Sequence, residues 1–306
     1  MVALTLFASA ATAQVTSALW GVDGSAWDTN GILRDFTDVG YMGGEEPIPD
    51  WPVAHSVTNF GAIPDDGIDD SQAFIDAIAA CPDNHAVLVP KGTFTILQKV
   101  VVNNDYVCLR GEDMVESVIF FPKYLGEIYI NEAGFDAGST PVYDKFFQMV
   151  GGSGKSFENL TFKFREQRNK GAWEYEGAGF LDYQYVSDSW VRNVVFLNYS
   201  SGFSFSGTRC SFINLIFDQF NGRCGTDSQS TQNLDAYGSV LVRNCSYSLF
   251  HNISIEGGVL QPIDLNENSS HNVYSHFRGG ERLNRQSGTT AVARPTICIP
   301  TWIKGL

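Results

Sequence analysis

The chain has 306 residues, 43% of them hydrophobic, and a formal net charge of −14 at pH 7. The hydrophobic content is enough for a large core, and the acidic charge argues against nucleic acid and anionic membrane as partners, because both would repel it. No stretch beyond residue 13 approaches the roughly 20 apolar residues of a membrane-spanning helix.

The first residues resemble a signal peptide. Residues 1–13 (MVALTLFASAATA) form a short apolar run that ends in small residues, a pattern typical of signal-peptide cleavage. Because the run lacks a basic start, an apolar N-terminal strand is the alternative. We expect a secreted, extracellular protein, in which Asn198, Asn244 and Asn268 stand in N-x-S/T sequons suited to glycans.

The next segments predict an arm and a helix. Residues 14–56 are interpreted as an extended N-terminal arm, because residues 20–52 are rich in Gly, Pro and aromatics without a strand or helix period. Val57 to Phe60 is predicted to be a strand. Beyond it, Asp70 or Ser71 caps a helix whose apolar residues recur at i, i+3, i+4 and i+7, at Phe74, Ala77, Ile78 and Cys81. We expect this helix to cover the open end of the domain that follows.

A short pattern recurs five times between Phe147 and Phe277. In each copy an aliphatic residue follows an Asn, and in all but the last an apolar residue stands two before it; the Asn positions are Asn159, Asn193, Asn214, Asn252 and Asn272. A period near 20 residues with longer inserts is typical of a solenoid, and the β-branched and aromatic composition predicts strands. Identical residues one coil apart then lie about 4.8 Å apart, so the five Asn form a ladder.

The pattern therefore predicts an all-β fold, a single-stranded right-handed parallel β-helix with an N-terminal capping α-helix. We assign the β-helix domain to residues 57–277. Beyond it the pattern stops, and residues 278–306 are interpreted as an irregular C-terminal segment of a truncated chain.

Six cysteines suit an oxidising compartment, and none has the CxxC spacing typical of metal ligands. Cys81 and Cys108 flank the first coil, while Cys210 and Cys245 lie in consecutive coils. These two pairs are the expected disulfides.

The block VTNFGAIPDDGIDDSQAFIDAI, followed by VLVPKGTF and YVCLRGEDMVESVIFFP, resembles the N-terminal part of the pectate-lyase-like (pectin lyase fold) superfamily. It is most similar to the rhamnogalacturonase/epimerase-type members, and phage tailspikes carry a related signature. The resemblance covers residues 57–122 and continues as a fold pattern to residue 277. It implies a polysaccharide partner, but the superfamily contains lyases, hydrolases, epimerases and binders. The polygalacturonase motif set is missing, with Gly225-Thr226-Asp227 as the nearest fragment, so that family's catalytic residues cannot be carried over.

In the resembling family the first strand of each coil forms the floor of a sugar groove. Alternation along those strands points one set of polar residues outward: Asp182, Gln184, Ser204, Ser206, Arg243, Asp264 and Asn266. We assign Arg243 to neutralising a uronate carboxylate or abstracting a proton, Asp264 to orienting Arg243, and Asp182 with Gln184 to binding sugar hydroxyls or a cation. A merely solvated sheet face is the alternative reading.

Long inserts overhang this floor. Trp173 and Tyr175 in the first insert suit stacking on sugar rings, and Arg165 and Lys170 belong to residues 155–170, which carry five basic against two acidic side chains. His251 and His271 each precede a repeated Asn, so they are predicted to stack outward as surface histidines or as metal ligands.

We predict an enzyme that cleaves an acidic polysaccharide. A β-eliminating lyase is favoured over a glycoside hydrolase, because the groove offers Arg but no close carboxylate pair. A non-catalytic glycan-binding or structural β-helix is the alternative. No cofactor is assigned, Ca²⁺ stays open, and the sequence does not determine the oligomeric state.

Overall fold

The computed structural model describes residue 28 and residues 38–122, 145–165, 179–199, 201–218, 240–256, 263–266 and 269–280. Only the backbone is described at residues 145, 179, 201–203, 241, 256, 263–266, 279 and 280. The helix in these ranges is α1 (Ser71–Ala79). The strands are β1 (Val53–Ser56), β2 (His85–Val89), β3 (Gly92–Thr95), β4 (Val100–Val102), β5 (Val107–Gly111), β6 (Ser117–Phe121), β7 (Lys145–Val150), β8 (Lys155–Phe164), β9 (Gly179–Ser187), β10 (Trp190–Leu197), β11 (Ser201–Thr208), β12 (Ser211–Asp218), β13 (Val240–Ser246), β14 (Leu249–Glu256), β15 (Ile263–Asn266) and β16 (Val273–Gly280).

The strands form two parallel sheets. The six-stranded sheet has the order β4-β7-β9-β11-β13-β15, and the ten-stranded sheet follows β1-β2-β5-β8-β10-β12-β14-β16, with β3 and β6 paired beside it. From β7 onwards the chain alternates between the two sheets, so each coil contributes one strand to each. This is the predicted right-handed parallel β-helix, and the fold class is confirmed.

The long strands of the ten-stranded sheet bend at an Asn. Asn159, Asn193, Asn214 and Asn252 all have φ between 53° and 55°, a left-handed conformation that Asn tolerates better than most residues. Their side chains form the predicted ladder, each donating to the previous Asn over 3.0, 2.9 and 2.7 Å. The bend therefore repeats at the same place in four successive coils.

The prediction that Asn272 is the fifth member of the Asn ladder is wrong. The register of β14 and β16 pairs His251 with Ser275 and Ile253 with Phe277, so His276, with φ 56°, follows Asn252 in the ladder position. Asn272 lies before β16 and binds the previous coil, donating to Cys245 O over 3.0 Å. Aromatic packing explains this register, because Tyr274 stacks on Phe250 with centroids 4.7 Å apart.

The core between the sheets is a set of aromatic columns. Phe162, Phe196 and Phe217 are buried and stack with centroid separations of 5.8 and 4.6 Å. Because each coil places the same kind of side chain at the same position, burial and ring stacking reinforce the strand register.

Helix α1 has the predicted position and apolar face. Phe74, Ala77 and Ile78 are buried, and the Phe74 ring contacts Phe94 and Phe147 at 5.8 and 6.5 Å. These contacts place the helix against the first coils, while its role as a cover for the solenoid end stays a prediction. No helix in the described part of the chain is long and apolar enough to cross a membrane.

The segment before α1 differs from its prediction. Val57–Phe60 is a 3₁₀ turn rather than a strand, because the Ser56 side chain accepts from Thr58 N and the Asn59 side chain accepts from Ser56 N. This reciprocal capping favours a turn. The first strand, β1, instead lies within the predicted arm and pairs with β2.

Residues 38–52 contact the outside of the ten-stranded sheet. Gly40 N donates to Tyr247 O over 2.8 Å and Tyr41 N to Ser211 Oγ over 2.8 Å. The rings of Tyr41 and Trp51 both contact Trp190, with centroids 5.1 and 4.8 Å away. The described part of the predicted arm is thus anchored by aromatic contacts and backbone hydrogen bonds.

Two charged residues expected at the surface are buried. Glu158 is 1% exposed and sits in register between Arg110 and Arg192, which both donate to it. Lys155 is also 1% exposed, and its Nζ donates to the carbonyls of residues 102, 103 and 104 over 3.0, 2.8 and 3.0 Å. The basic surface predicted over residues 155–170 therefore loses one cation and one anion, and its net charge stays the same.

The two predicted disulfides are not formed. Cys81, Cys108, Cys210 and Cys245 are buried free thiols. The thiols of Cys210 and Cys245 donate to Thr208 O and Asn272 Oδ1, each over 3.3 Å, so both act as buried groups with an acceptor at hand. Burial, with a smaller effect of Asp83, raises the pKa of Cys81 to about 11, and burial raises that of Cys245 to about 12. The remaining two cysteines lie outside the described residues.

Candidate functional site

The outer face of the six-stranded sheet carries the predicted groove floor. Leu181, Tyr183, Phe205, Val240 and Val242 point inward and are at most 1% exposed. The residues between them point outward: Asp182, Gln184, Ser204 and Ser206 are partly exposed, and Arg243 is exposed. The alternation predicted from the sequence therefore holds where these side chains are described.

Asp182 is the centre of a hydrogen-bond network on this face. Gln184 Nε2 donates to its Oδ2 over 2.6 Å, Gln148 Nε2 donates to the same oxygen over 3.2 Å, and Ser204 Oγ donates to Oδ1 over 2.5 Å. The register causes this, because Gln148, Asp182 and Ser204 are direct neighbours on β7, β9 and β11. The carboxylate is thus held in one orientation by neutral donors from three strands.

Gln148 also belongs to the groove floor, although the sequence analysis did not include it. The alternation that identified Asp182 also applies to β7, where Phe147 and Met149 are fully buried and Gln148 is partly exposed. Extending the period by one coil would have included Gln148 in the groove floor.

Arg243 is not directly opposite Asp264. The register of β13 and β15 pairs Arg243 with Asn266 and Leu241 with Asp264, so Asp264 lies two residues away along its strand. The side chains of Asp264 and Asn266 lie outside the described set. Asp264 shares a row with Asp182, three strand spacings or about 14 Å away, beyond the ~6.5–9.5 Å of an inverting carboxylate pair.

The strands of this sheet differ by one residue near their ends. Phe205 and Gly207 of β11 pair with Tyr183 and Val186 of β9 and with Val242 and Cys245 of β13. Both neighbours therefore have one extra residue, at bulges where Tyr185 has φ 57° and Asn244 has φ 46°. Such bulges re-aim the side chains beside them.

The shorter strand β11 approaches β9 closely. A Cβ at Gly207 would lie 2.0 Å from Val186 O, so only Gly fits there. Ser206 is the single residue opposite both bulges, and its Oγ is buried without a hydrogen-bond partner among the described residues. A buried hydroxyl left unpaired is costly and calls for an explanation.

Most residues of the two inserts lie outside the described ranges. Arg165 is exposed just after β8, and its backbone N–H donates to Phe121 O over 3.1 Å. Lys170, Trp173 and Tyr175 lie outside the described residues, so their predicted contacts with sugar remain predictions.

The predicted pair of His251 and His271 is wrong. His251 contacts His276 with ring centroids 4.9 Å apart, whereas His271 stacks on Tyr247 at 4.8 Å. The reason is that His276, and not Asn272, follows Asn252 in the ladder, so the register of β14 and β16 pairs His251 with Ser275. Within the described ranges, no group of three or more His, Cys, Asp or Glu residues is placed to hold a metal ion, so calcium binding stays an untested alternative.

An open cleft lies beside the turn at Arg209, away from the predicted site residues. Asp38, Met42, Glu45, Thr208 and Tyr247 are among its lining residues. Its cation is already paired, because Arg209 donates to both oxygens of Asp188 over 2.8 and 2.7 Å. We therefore place the candidate site on the outer face of the six-stranded sheet.

Comparison with known proteins identifies the family and the fold. The model of the family described as rhamnogalacturonase A/epimerase, pectate lyase-like, matches residues 54–276. Comparison with curated protein sequences gives no match.

Several solved structures are similar in fold. The iota-carrageenase of family GH82 from A. fortis matches with a TM-score of 0.50 and 15% identity, over 75% of this chain and 45% of that one. ORF18 of Geobacillus virus E2 matches with a TM-score of 0.45 and 15% identity, over 75% and 43%. The surface adhesin PfbA of Streptococcus pneumoniae matches with a TM-score of 0.46 and 14% identity, over 74% and 59%. The chain spans less than two thirds of each of these proteins, and the carrageenase likeness shows the shared fold alone.

Proposed function

The chain belongs to the rhamnogalacturonase A/epimerase, pectate lyase-like family, a group of carbohydrate-active β-helix proteins, and we propose that it cleaves an acidic polysaccharide along the outer face of its six-stranded sheet. The observation that carries this proposal is the oriented carboxylate of Asp182 on the same face as the exposed guanidinium of Arg243. A solvated sheet face has no need of a carboxylate fixed by donors from three strands.

The substrate class follows from charge. The chain is strongly acidic overall, so a polyanion requires a local cation to approach it. Arg243 supplies that cation, and its planar guanidinium matches the geometry of a uronate carboxylate. Asp182, together with Gln184 and Ser204 that donate to it, forms a polar patch suited to binding sugar hydroxyls.

We favour β-elimination as the reaction. A base removes the proton next to the uronate carboxylate, and its electrons form a carbon–carbon double bond. The bond from the neighbouring carbon to the glycosidic oxygen then breaks, and that oxygen takes up a proton. Arg243 neutralises the carboxylate as a guanidinium or, after it has given a proton to solvent, accepts the substrate proton in its neutral form, and Asp182 orients the ring through its hydroxyls. Asn266, and not Asp264, is the residue opposite Arg243. We therefore assign to Asn266 the role of orienting Arg243 that the sequence analysis gave to Asp264. The distance from Asp182 to Asp264, about 14 Å by strand spacing, disfavours hydrolysis by that pair.

We also propose that the protein is secreted, on the evidence of the apolar run at residues 1–13 and its small-residue end. Expression of the full chain, followed by mass measurement of the exported product, tests this. The expected result is the mass of a chain that begins at Gln14, and an uncleaved intracellular product contradicts the proposal.

The activity is tested by digestion of a panel containing polygalacturonate, rhamnogalacturonan, alginate and neutral glucans, followed by reducing-end and ultraviolet assays, with and without a calcium chelator. Reducing ends with ultraviolet absorbance identify a lyase, and reducing ends without it identify a hydrolase. Retention of glycan without products would make the non-catalytic binder the better description. Loss of activity with the chelator would assign a calcium ion to the site.

The residue assignment is tested with Arg243→Ala and Asp182→Asn. We expect Arg243→Ala to lower turnover by at least ~100-fold, the usual contribution of a proton-transfer group. Asp182→Asn should lower turnover less, because Asp182 orients the ring and transfers no proton. Lys91→Ala is the control, since Lys91 is an exposed cation that pairs with Glu116 elsewhere. Undiminished cleavage by Arg243→Ala contradicts the assignment.

A further inference from the structure

Tyr185 combines backbone strain with exposure. Its φ of 57° is a left-handed value that is unfavourable for a bulky side chain, yet its side chain is 72% exposed. Packing in the free protein therefore does not compensate for the strain. The fold requires the left-handed backbone, which recurs at Gly151 and Asn244 on the neighbouring strands, but it does not require a tyrosine there. A strained side chain that the fold does not require is a candidate for function.

Two of the other aromatic residues with this conformation use their rings in contacts: Tyr247 stacks on His271, and His276 contacts His251. Tyr106, with φ 54°, has no ring contact among the described residues but is less exposed, at 40%. The side chain of Tyr185 has no hydrogen bond, ion pair or ring contact with the described residues. Its neighbouring positions explain this, because Gly151 occupies the corresponding left-handed position after β7, and β11 lacks a corresponding residue.

The bulge leaves Tyr185 on the outside of the sheet. Strict alternation after Tyr183 and Gln184 would point Tyr185 into the core, but the extra residue in β9 places Gln184 and Tyr185 opposite Ser206 alone, and the Tyr185 side chain is exposed. On the other side of Ser206 lies the exposed Arg243, two strand spacings or about 9.6 Å from β9. An exposed aromatic ring and an exposed cation therefore stand on either side of the shorter strand β11.

We propose that the surface between Tyr185 and Arg243 is a sugar-binding subsite in which Tyr185 is the stacking platform. It takes a ring of an acidic polysaccharide: the ring packs on Tyr185, and Arg243 binds the carboxylate substituent. This inference rests on the proposed function of the outer face. It adds a residue that the period-2 pattern hides and explains why an exposed tyrosine stands at a left-handed backbone position.

The test is Tyr185→Asn, because Asn tolerates the left-handed backbone and stands at the corresponding bulge of β13 as Asn244. We expect an unchanged or higher thermal midpoint, together with a KM for the cleaved polysaccharide raised about tenfold, the value of one aromatic stacking contact. Affinity electrophoresis in gels containing polygalacturonate, rhamnogalacturonan or alginate measures binding without turnover. Tyr185→Phe should behave as the wild type, because it keeps the ring.

Tyr247→Asn is the matched control, since Tyr247 has φ 53° and is 36% exposed but lies off the groove. It should leave KM and retention unchanged. If Tyr185→Asn also leaves both unchanged while Arg243→Ala abolishes turnover, the subsite is overturned and the proposed function stands. If the wild-type protein neither cleaves nor is retarded by any of the three acidic glycans, both are overturned.

Discussion

Replacing Glu158 by Gln should destabilise the protein strongly, although the change alters only one atom. Glu158 is 1% exposed and accepts hydrogen bonds from Arg110, from Arg192 over 2.5 Å and from Trp190 Nε1 over 3.0 Å. A Gln side chain keeps one acceptor oxygen but turns its amide N–H group toward one of the two guanidinium groups. One charge-assisted bond is lost and the other is weakened.

The magnitude follows from these contacts. A hydrogen bond to a charged group contributes about 1.5–3 kcal/mol. The lower end applies here, because Arg110 and Arg192 are 14% and 27% exposed and recover some hydration. Two such bonds give a loss of about 3 kcal/mol in the free energy of unfolding, consistent with the ~3–5 kcal/mol cost of breaking a buried pair.

Urea unfolding followed by tryptophan fluorescence measures this loss. With a slope of about 3 kcal/mol per M, the midpoint should fall by about 1 M. The control is Glu116→Gln, which removes the carboxylate of the pair Lys91–Glu116, with side chains 50% and 59% exposed. That variant should leave the midpoint unchanged. Equal midpoints for Glu158→Gln and the wild type would refute the reasoning that the buried carboxylate of Glu158 joins β5, β8 and β10 through Arg110 and Arg192.

Two further predictions concern the ladder and the thiols. Asn193 donates to Asn159 and accepts from Asn214 at φ 54°, so Asn193→Ala should cost about 3 kcal/mol from two hydrogen bonds and backbone strain; a urea midpoint within error of the wild type would contradict this. Because burial raises the pKa of the Cys81, Cys108, Cys210 and Cys245 thiols, all four should resist iodoacetamide at pH 8 in the native protein. They should react in denaturant without a reductant, as counted by mass spectrometry, whereas disulfides would leave them unmodified.

The sequence predicts the solenoid well because its evidence is repeated. Asn159, Asn193, Asn214 and Asn252 recur with the same flanking residues, and each recurrence supports the others. The pattern fails at the last coil, where Asn272 matches the motif only in the aliphatic residue that follows it and His276 occupies the ladder position. The register there depends on the contact between Tyr274 and Phe250, which is a property of two coils rather than of one segment.

The candidate site is predicted only where strands are regular. Asp182, Gln184, Ser204, Ser206 and Arg243 point outward as alternation requires. Tyr185 escapes the same reasoning, because alternation has no means of showing that β11 is one residue shorter than its neighbours. The burial of Lys155 and Glu158 is hidden for a related reason, since their partners lie in other coils up to 53 residues away.

The one-residue difference between β9, β11 and β13 has an evolutionary consequence. Insertion or deletion of a residue at the bulge is absorbed before the next turn, since the register recovers at Gly207, which pairs with Val186 and Cys245. The ladder and the aromatic columns downstream therefore keep their alignment. Single-residue indels at this corner give the fold a way to reshape its groove coil by coil, a larger change than substitution allows, while the rest of each coil stays in place.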